Sequence, residues 1–222
     1  MKVKSNKLNN YKHIIWDWNG TLLNDVEFCK NIINRILREN NLEELTLNRY
    51  KEIFTFPVQK YYEAAGLDFS KIPFEVLGKN FMIEYEANKL NCNLYDGVKQ
   101  IIVKIREQGI KQSVLSAYKE DSLISILKAY NLYEYFDFIV GSDNIYAGGK
   151  IHLGLKLLEK LNHTGNTVLF VGDTLHDYEV AKAMGVDVIL ISSGHQAKSK
   201  LTINGVPVLD NIKELDRLLF NS

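Results

Sequence analysis

The strongest constraint on this chain is an apolar run that stops on an acid. His13-Ile14-Ile15-Trp16 leads straight into Asp17, and Gly20-Thr21 follow within a turn. A continuous apolar run suits a strand covered on both faces of a parallel sheet, and such sheets place their chemistry beyond the carboxyl ends of their strands. Taken alone, the segment fits a plain strand ending in a polar turn equally well. The decision depends on what lies downstream.

From residue 95 the hydrophobic period alternates between helix and strand. The pattern predicts helices over 98–108, 120–130, 152–161, 178–184 and 212–220, with strands over 110–115, 138–140, 167–171, 186–191 and 206–209. Alternation of this kind specifies an α/β fold, a Rossmann-like parallel sheet with helices on both faces and right-handed crossovers. Residues 24–94 read differently. Val26, Cys29, Ile32, Ile33, Ile36 and Leu37 recur at helical spacing after a cap at Asn24 or Asp25, and helical patterns continue over 47–54, 58–65 and 73–90, punctuated by Pro57, Gly66 and Pro73. Nothing there alternates as a strand. The expected organisation is a core of residues 1–23 and 95–222 with an inserted all-helical cap over 24–94. In that cap, Phe54, Phe56, Tyr61 and Tyr62 stand at spacings that favour packing over a substrate pocket.

Three further motifs carry chemistry. Ser116 closes the segment Gln112-Ser113-Val114-Leu115, Lys150 follows Gly148-Gly149, and Val168-Leu169-Phe170-Val171-Gly172-Asp173-Thr174-Leu175-His176-Asp177 joins a strand to an acidic loop and a helix. If Asp17, Ser116 and Asp173 each follow a strand, one sheet edge gathers them. Carboxylates pressed together repel and take up protons unless a cation neutralises them. Asp17, Asp173 and Asp177, with no cysteine and no compelling histidine nearby, form a hard oxygen set suited to Mg²⁺, although either downstream acid alone would read as a helix cap. A carboxylate can attack phosphorus, so Asp17 is the expected nucleophile. The hydroxyl of Ser116, the ammonium of Lys150 and the backbone N–H groups of Trp18 and Ala117 are suited to the phosphoryl oxygens. A nucleotide-binding loop around Lys150 is excluded, because Asn144 stands where its first glycine belongs and Ile151 replaces the required Ser or Thr. His152 and His176 read as partly exposed turn residues.

These motifs, in this order, resemble those of the haloacid dehalogenase-like hydrolase superfamily, closest to its phosphoglycolate phosphatase-like branch, over nearly the whole chain. The resemblance implies a helical cap between the first and second motifs and an aspartyl phosphate on Asp17. It also implies Mg²⁺ held by Asp17, Asp173, Asp177 and the backbone carbonyl of Asn19, with a small phosphorylated metabolite as substrate. The usual first motif is Asp-x-Asp-Gly-Thr; here the acid–base position, which also faces substrate, is Asn19. A carboxamide exchanges no protons near neutral pH, and losing general acid–base catalysis costs on the order of 10²–10⁴ in rate. The alternatives are a substrate with a good leaving group (acyl, aryl or anhydride phosphate), another proton carrier such as His176, or deamidation at Asn19-Gly20. Phosphosugar mutase-like transfer and a non-catalytic phosphometabolite-binding protein are the competing functions. Dehalogenation would leave Asp173 and Asp177 without a task.

Bulk properties narrow the partners. Lys+Arg 27 balances Asp+Glu 27, so no net field draws the chain to nucleic acid or an anionic membrane. No run approaches the roughly 20 apolar residues of a membrane span. Cys29 and Cys92 read as reduced, small apolar residues, and the chain as cytoplasmic, a monomer or homodimer. Residues 1–10 are polar and lysine-rich and read as a frayed terminus.

Overall fold

The computed structural model describes residues 11–143 and 149–220. The expected frayed terminus, and the Asn144 and Gly148 readings, lie outside them. In chain order come β1 (His13–Trp16), β2 (Leu23–Asn24), helices α1 (Val26–Glu39), α2 (Leu47–Ile53), α3 (Val58–Ala64) and α4 (Phe74–Asn88), then β3 (Asn93–Leu94). The alternating part follows as α5 (Val98–Glu107), β4 (Lys111–Lys119), α6 (Glu120–Ala129), β5 (Phe138–Ser142), α7 (Ile151–Lys160), β6 (Val168–Gly172), α8 (Leu175–Met184) and β7 (Asp187–Ile191). The short α9 (Lys198–Leu201), then β8 (Val208–Leu209) and α10 (Ile212–Phe220), close the chain.

Six strands form one sheet in the order β5-β4-β1-β6-β7-β8, and every neighbouring pair is parallel. Alternate residues feed the two faces. Ile15, Leu115, Val168 and Phe170 pack with Leu157, Val180 and Met184 of α7 and α8. Ile14, Trp16, Val114, Leu169 and Val171 face the larger cluster built from α1, α5, α6 and α10. Both faces of β1 are therefore covered, which accounts for its unbroken apolar sequence.

The chain leaves β1 toward β4 and β5 on one side and later returns to β6, β7 and β8 on the other. Strand order thus reverses at β1, the kind of crevice where open α/β sheets bind ligands. Trp16 is level with Val114 on one side and Val171 on the other, so the next residue, Asp17, emerges between two strand ends. The 24–94 segment folds as four α-helices followed by a 3-10 turn at Lys89–Asn91. It enters and leaves through the antiparallel β2–β3 pair, Leu23 opposite Leu94 and Asn24 opposite Asn93. Two residues per strand are too few for a visible alternation.

Candidate active site

Asp17 follows β1 directly and its N–H donates to the carbonyl of Val171 at 2.9 Å, fixing the turn out of the sheet. Asp173 follows β6, and Asp177 lies one turn on in α8. The helix begins at Leu175, three residues before the sequence predicts, because Thr174 and Asp177 form a reciprocal capping box. One Asp177 oxygen accepts from the backbone N–H groups of Asp173 and Thr174, at 3.0 and 2.9 Å, and from the Thr174 hydroxyl at 2.7 Å. Its other oxygen lies 2.6 Å from Lys150 Nζ. Capping and site-forming are thus divided between the two oxygens of one carboxylate.

Lys150 is buried, pairs with Asp17 and Asp177, and also donates to the Leu115 carbonyl at 3.3 Å. Asp17, Asp173 and Asp177 each bring a carboxylate oxygen within 4.8 Å of the others. Burial pushes Asp17 well above the usual carboxylate range; the Lys150 charge opposes this, and Asp177 and Asp173 add to it. Asp173 is raised to about 6, by burial first, with the His195 charge opposing and Asp177 adding. For Asp177 burial is outweighed by Lys150 and the capping hydrogen bonds, which hold it low. One ammonium does not satisfy three buried acids. The hard donor set and the raised acids fit a divalent cation bound by oxygen.

Ser116 is buried beside this cluster, but β4 does not end before it. The strand continues to Lys119, and its register against β5 shifts between Leu115 and Lys119. The Ser116 hydroxyl accepts from the Tyr118 N–H at 3.1 Å across this irregularity, so polarity there reflects a distortion inside the strand. Ser116 and Ala117 line the cavity with Asp17, Asn19 and Lys150. The Trp18 side chain goes elsewhere. Its indole is fully buried in the core, with Tyr130 at 6.2 Å, and is absent from the cavity wall. A large apolar ring gains more from that burial than from the polar edge, which leaves only the main chain of Trp18 for substrate.

Asn19 faces the cavity and is locked in place, its amide donating to Asp25 at 2.7 Å and to the Tyr85 hydroxyl at 2.6 Å. Asp25 occupies the N-cap position of α1 but makes no capping bond. It turns back to accept from the Gly20 N–H at 3.0 Å and the Tyr85 hydroxyl at 2.8 Å, and it lies 3.1 Å from His195 Nε2. Burial opposes its charge, but His195 and the bonds from Asn19 and Tyr85 hold its carboxyl below the usual range. Conversely, Asp25 outweighs burial and raises His195. Asp25, Cys29 and His195 also lie within 4.8 Å of one another. The Asp25 oxygens are already occupied, so this group is a hydrogen-bonded support for Asn19.

His195 corrects the expectation that no histidine stands near the acids. Its N–H donates to Asp173 at 2.6 Å, its ring meets the Tyr50 hydroxyl at 2.8 Å and it stacks on Phe54 at 4.8 Å. It follows β7 in Ser192-Ser193-Gly194-His195, so the strand-end rule that marks Asp17 also marks this loop. Gly194 matters for a related reason: a Cβ there would overlap the Asp173 carboxylate. His176 is buried as well and accepts the Lys150 N–H at 2.9 Å, which seats the start of α7. The cap rings Phe56, Phe54, Tyr61 and Tyr62 pack in succession as expected, yet all four also line the cavity.

Among known proteins, the chain matches the profile of the haloacid dehalogenase-like hydrolases over residues 14–191. A phosphoglycolate phosphatase of Rhodospirillum rubrum is 24% identical over 214 residues, 92% of this chain and 89% of that protein. A haloacid dehalogenase-like family hydrolase from Streptococcus pneumoniae superposes with a TM-score of 0.78 at 17% identity, covering 93% of this chain and 97% of the other. Protein tyrosine kinase A of Mycobacterium tuberculosis superposes with a TM-score of 0.76 at 20% identity, covering 98% and 99%. Proteins named for different reactions share this fold, so function has to be argued from the site. No helix among the described residues is long and apolar enough to cross a membrane.

Proposed function

From the premise that this chain belongs to the haloacid dehalogenase-like hydrolases, on the phosphatase side of that family, we propose that it is a Mg²⁺-dependent phosphatase of a small phosphorylated metabolite. The observation that carries this reading is the meeting of Asp17, Asp173, Asp177 and Lys150 at the carboxyl end of β1. Asp17 is the nucleophile. An Asp17 oxygen forms a bond to phosphorus while the bond to the leaving oxygen breaks, its electron pair departing with that oxygen. Water then attacks the phosphorus of the aspartyl phosphate, which returns the Asp17 carboxylate and inorganic phosphate.

Lys150 lies against Asp17 and offers positive charge to the equatorial oxygens, with the Ser116 hydroxyl and the N–H groups of Trp18 and Ala117 as further donors. Asp17, Asp173 and Asp177, with the Asn19 carbonyl, would hold the metal. Bound Mg²⁺ supplies the positive charge that favours the ionised acids and offsets the phosphoryl group. Asn19 orients and binds but transfers no proton. A mutase reading is weaker because it needs an acid–base group at the same position. The relatives named phosphoglycolate phosphatase make phosphoglycolate a first substrate to test, beside 4-nitrophenyl phosphate, whose leaving group needs little protonation. Phosphate binding with no metal-dependent release from either would leave a binding protein.

Metal dependence has a readout apart from turnover. Asp17 and Asp173 are raised in the fold, so the stability they contribute is present below the ordinary carboxylate range and is lost as pH rises through about 6 for Asp173. A cation favours the ionised forms. Millimolar Mg²⁺ is therefore expected to raise the melting temperature more at about pH 7.5 than at about pH 5. An equal shift at both pH values would count against these acids as the ligands. Gly194→Ala should displace the Asp173 carboxylate while the protein stays folded, and a misplacement of about 1 Å is enough for roughly a 10²-fold loss of turnover. Steady-state kinetics with a parallel circular dichroism spectrum checks this.

A further inference from the structure

The cavity above Asp17 is walled by rings. Tyr50, Phe54, Tyr61, Tyr62, Phe81 and Tyr85 contribute to it, and its volume is about 150 Å³. An apolar cavity of about 150 Å³ is known to hold one benzene ring. The charged groups in its wall are already committed. Lys150 is tied to Asp17 and Asp177, and Asp25 is paired with His195. Lys119 has a side chain 43% exposed and 3.7 Å from Asp121. No arginine lines the cavity among the described residues. A leaving group carrying a second anion, such as a carboxylate, would enter an apolar wall with no uncommitted buried cation among the described residues to meet it.

Two independent features narrow the occupant. The Tyr61 hydroxyl is buried and finds no hydrogen-bond partner among the described residues, and an unmet hydroxyl in an apolar wall costs free energy unless a ligand supplies the partner. Asn19 cannot protonate a departing oxygen, which favours a leaving group able to depart as its anion. A phenol, with a pKa of about 10 as in tyrosine, does this far more readily than an alkanol.

We propose that the cavity receives an aromatic ring joined to the phosphate through oxygen, that is, an aryl monophosphate whose ring carries one hydrogen-bonding substituent within reach of Tyr61. The inference deepens the phosphatase reading and rests on it for the chemical step. There the phosphorus–aryl oxygen bond breaks as the Asp17–phosphorus bond forms, and the electron pair leaves on the phenolate.

Binding separates the ring from leaving-group chemistry. In Mg²⁺ buffer, calorimetry with the full chain should find benzylphosphonate about tenfold or more tighter than methylphosphonate, since a ring is worth more than one decade when buried. Phosphonoacetate, which carries a carboxylate instead, should bind no tighter than methylphosphonate. A 4-hydroxyl on the benzyl ring should add roughly fivefold, a gain that Tyr61→Phe removes, so that the two benzyl compounds then bind alike. Phe81→Ala should weaken benzylphosphonate and spare methylphosphonate. Equal affinities for the benzyl and methyl compounds, or phosphonoacetate as the tightest, would overturn the proposal. These phosphonates are not turned over, so the two readings fail separately. Phosphate ester hydrolysis without ring preference strikes this inference alone, and ring preference without hydrolysis of any ester strikes the phosphatase reading alone.

Discussion

Asp17→Asn will abolish metal-dependent release of 4-nitrophenol from 4-nitrophenyl phosphate, a loss of about 10³-fold or more, because the reaction then lacks the atom that bonds to phosphorus. The variant is close to isosteric and should stay folded. Asp17 is a buried carboxyl raised well above its usual range, first by burial and then by Asp177 and Asp173 against the pull of Lys150. A group raised in this way destabilises the fold at neutral pH, so removing its charge should leave the metal-free melting temperature unchanged or higher. Lys150 keeps Asp177 as a partner, at 2.6 Å. Turnover within tenfold of the parent, with the fold intact, would move the nucleophile to another residue and overturn the mechanism.

The parts of this molecule that could be read from its sequence are those a local period encodes. Helix and strand alternation after residue 95 gives the sheet, and an unbroken apolar β1 places that strand in its centre. Asp17 and Asp173 follow from the rule that parallel strands end at the chemistry. Ser116 escapes that rule because its polarity marks a register shift within β4, which depends on β5 and is invisible locally. Position beside Asp17 puts the main chain of Trp18 at the site and says nothing of its side chain, whose direction is decided by an apolar contact with Tyr130, far along the chain. Asp25 reads as a helix cap because short acids before a helix usually are. Its actual partners, Asn19, Tyr85 and His195, come from three separate segments. His195 alone carried a usable signal, the polar loop after β7. The aromatic cap residues illustrate a further limit. Helical spacing reports that a face is apolar and cannot tell a packed face from a cavity wall.

The supporting network around Asn19 makes the largest gain of function a double exchange. Asn19→Asp alone sets a carboxylate where an amide now donates to Asp25 at 2.7 Å. Two buried carboxylates at that separation cannot both ionise, so the single variant should melt a few degrees lower. Adding Asp25→Asn restores complementarity, since the amide at position 25 can donate to the carboxylate at 19 while its oxygen still accepts from the Gly20 N–H, now at 3.0 Å. The double variant then holds an acid–base group two residues after the nucleophile. General acid–base catalysis contributes about 10²–10⁴, so turnover of ethyl phosphate should rise by roughly 10–100-fold. Turnover of 4-nitrophenyl phosphate, whose leaving group needs little protonation, should change by less than about threefold. A folded double variant with no gain on ethyl phosphate would mean that the proton is carried by a group other than residue 19, and the aryl preference argued from Asn19 would then rest on the cavity alone.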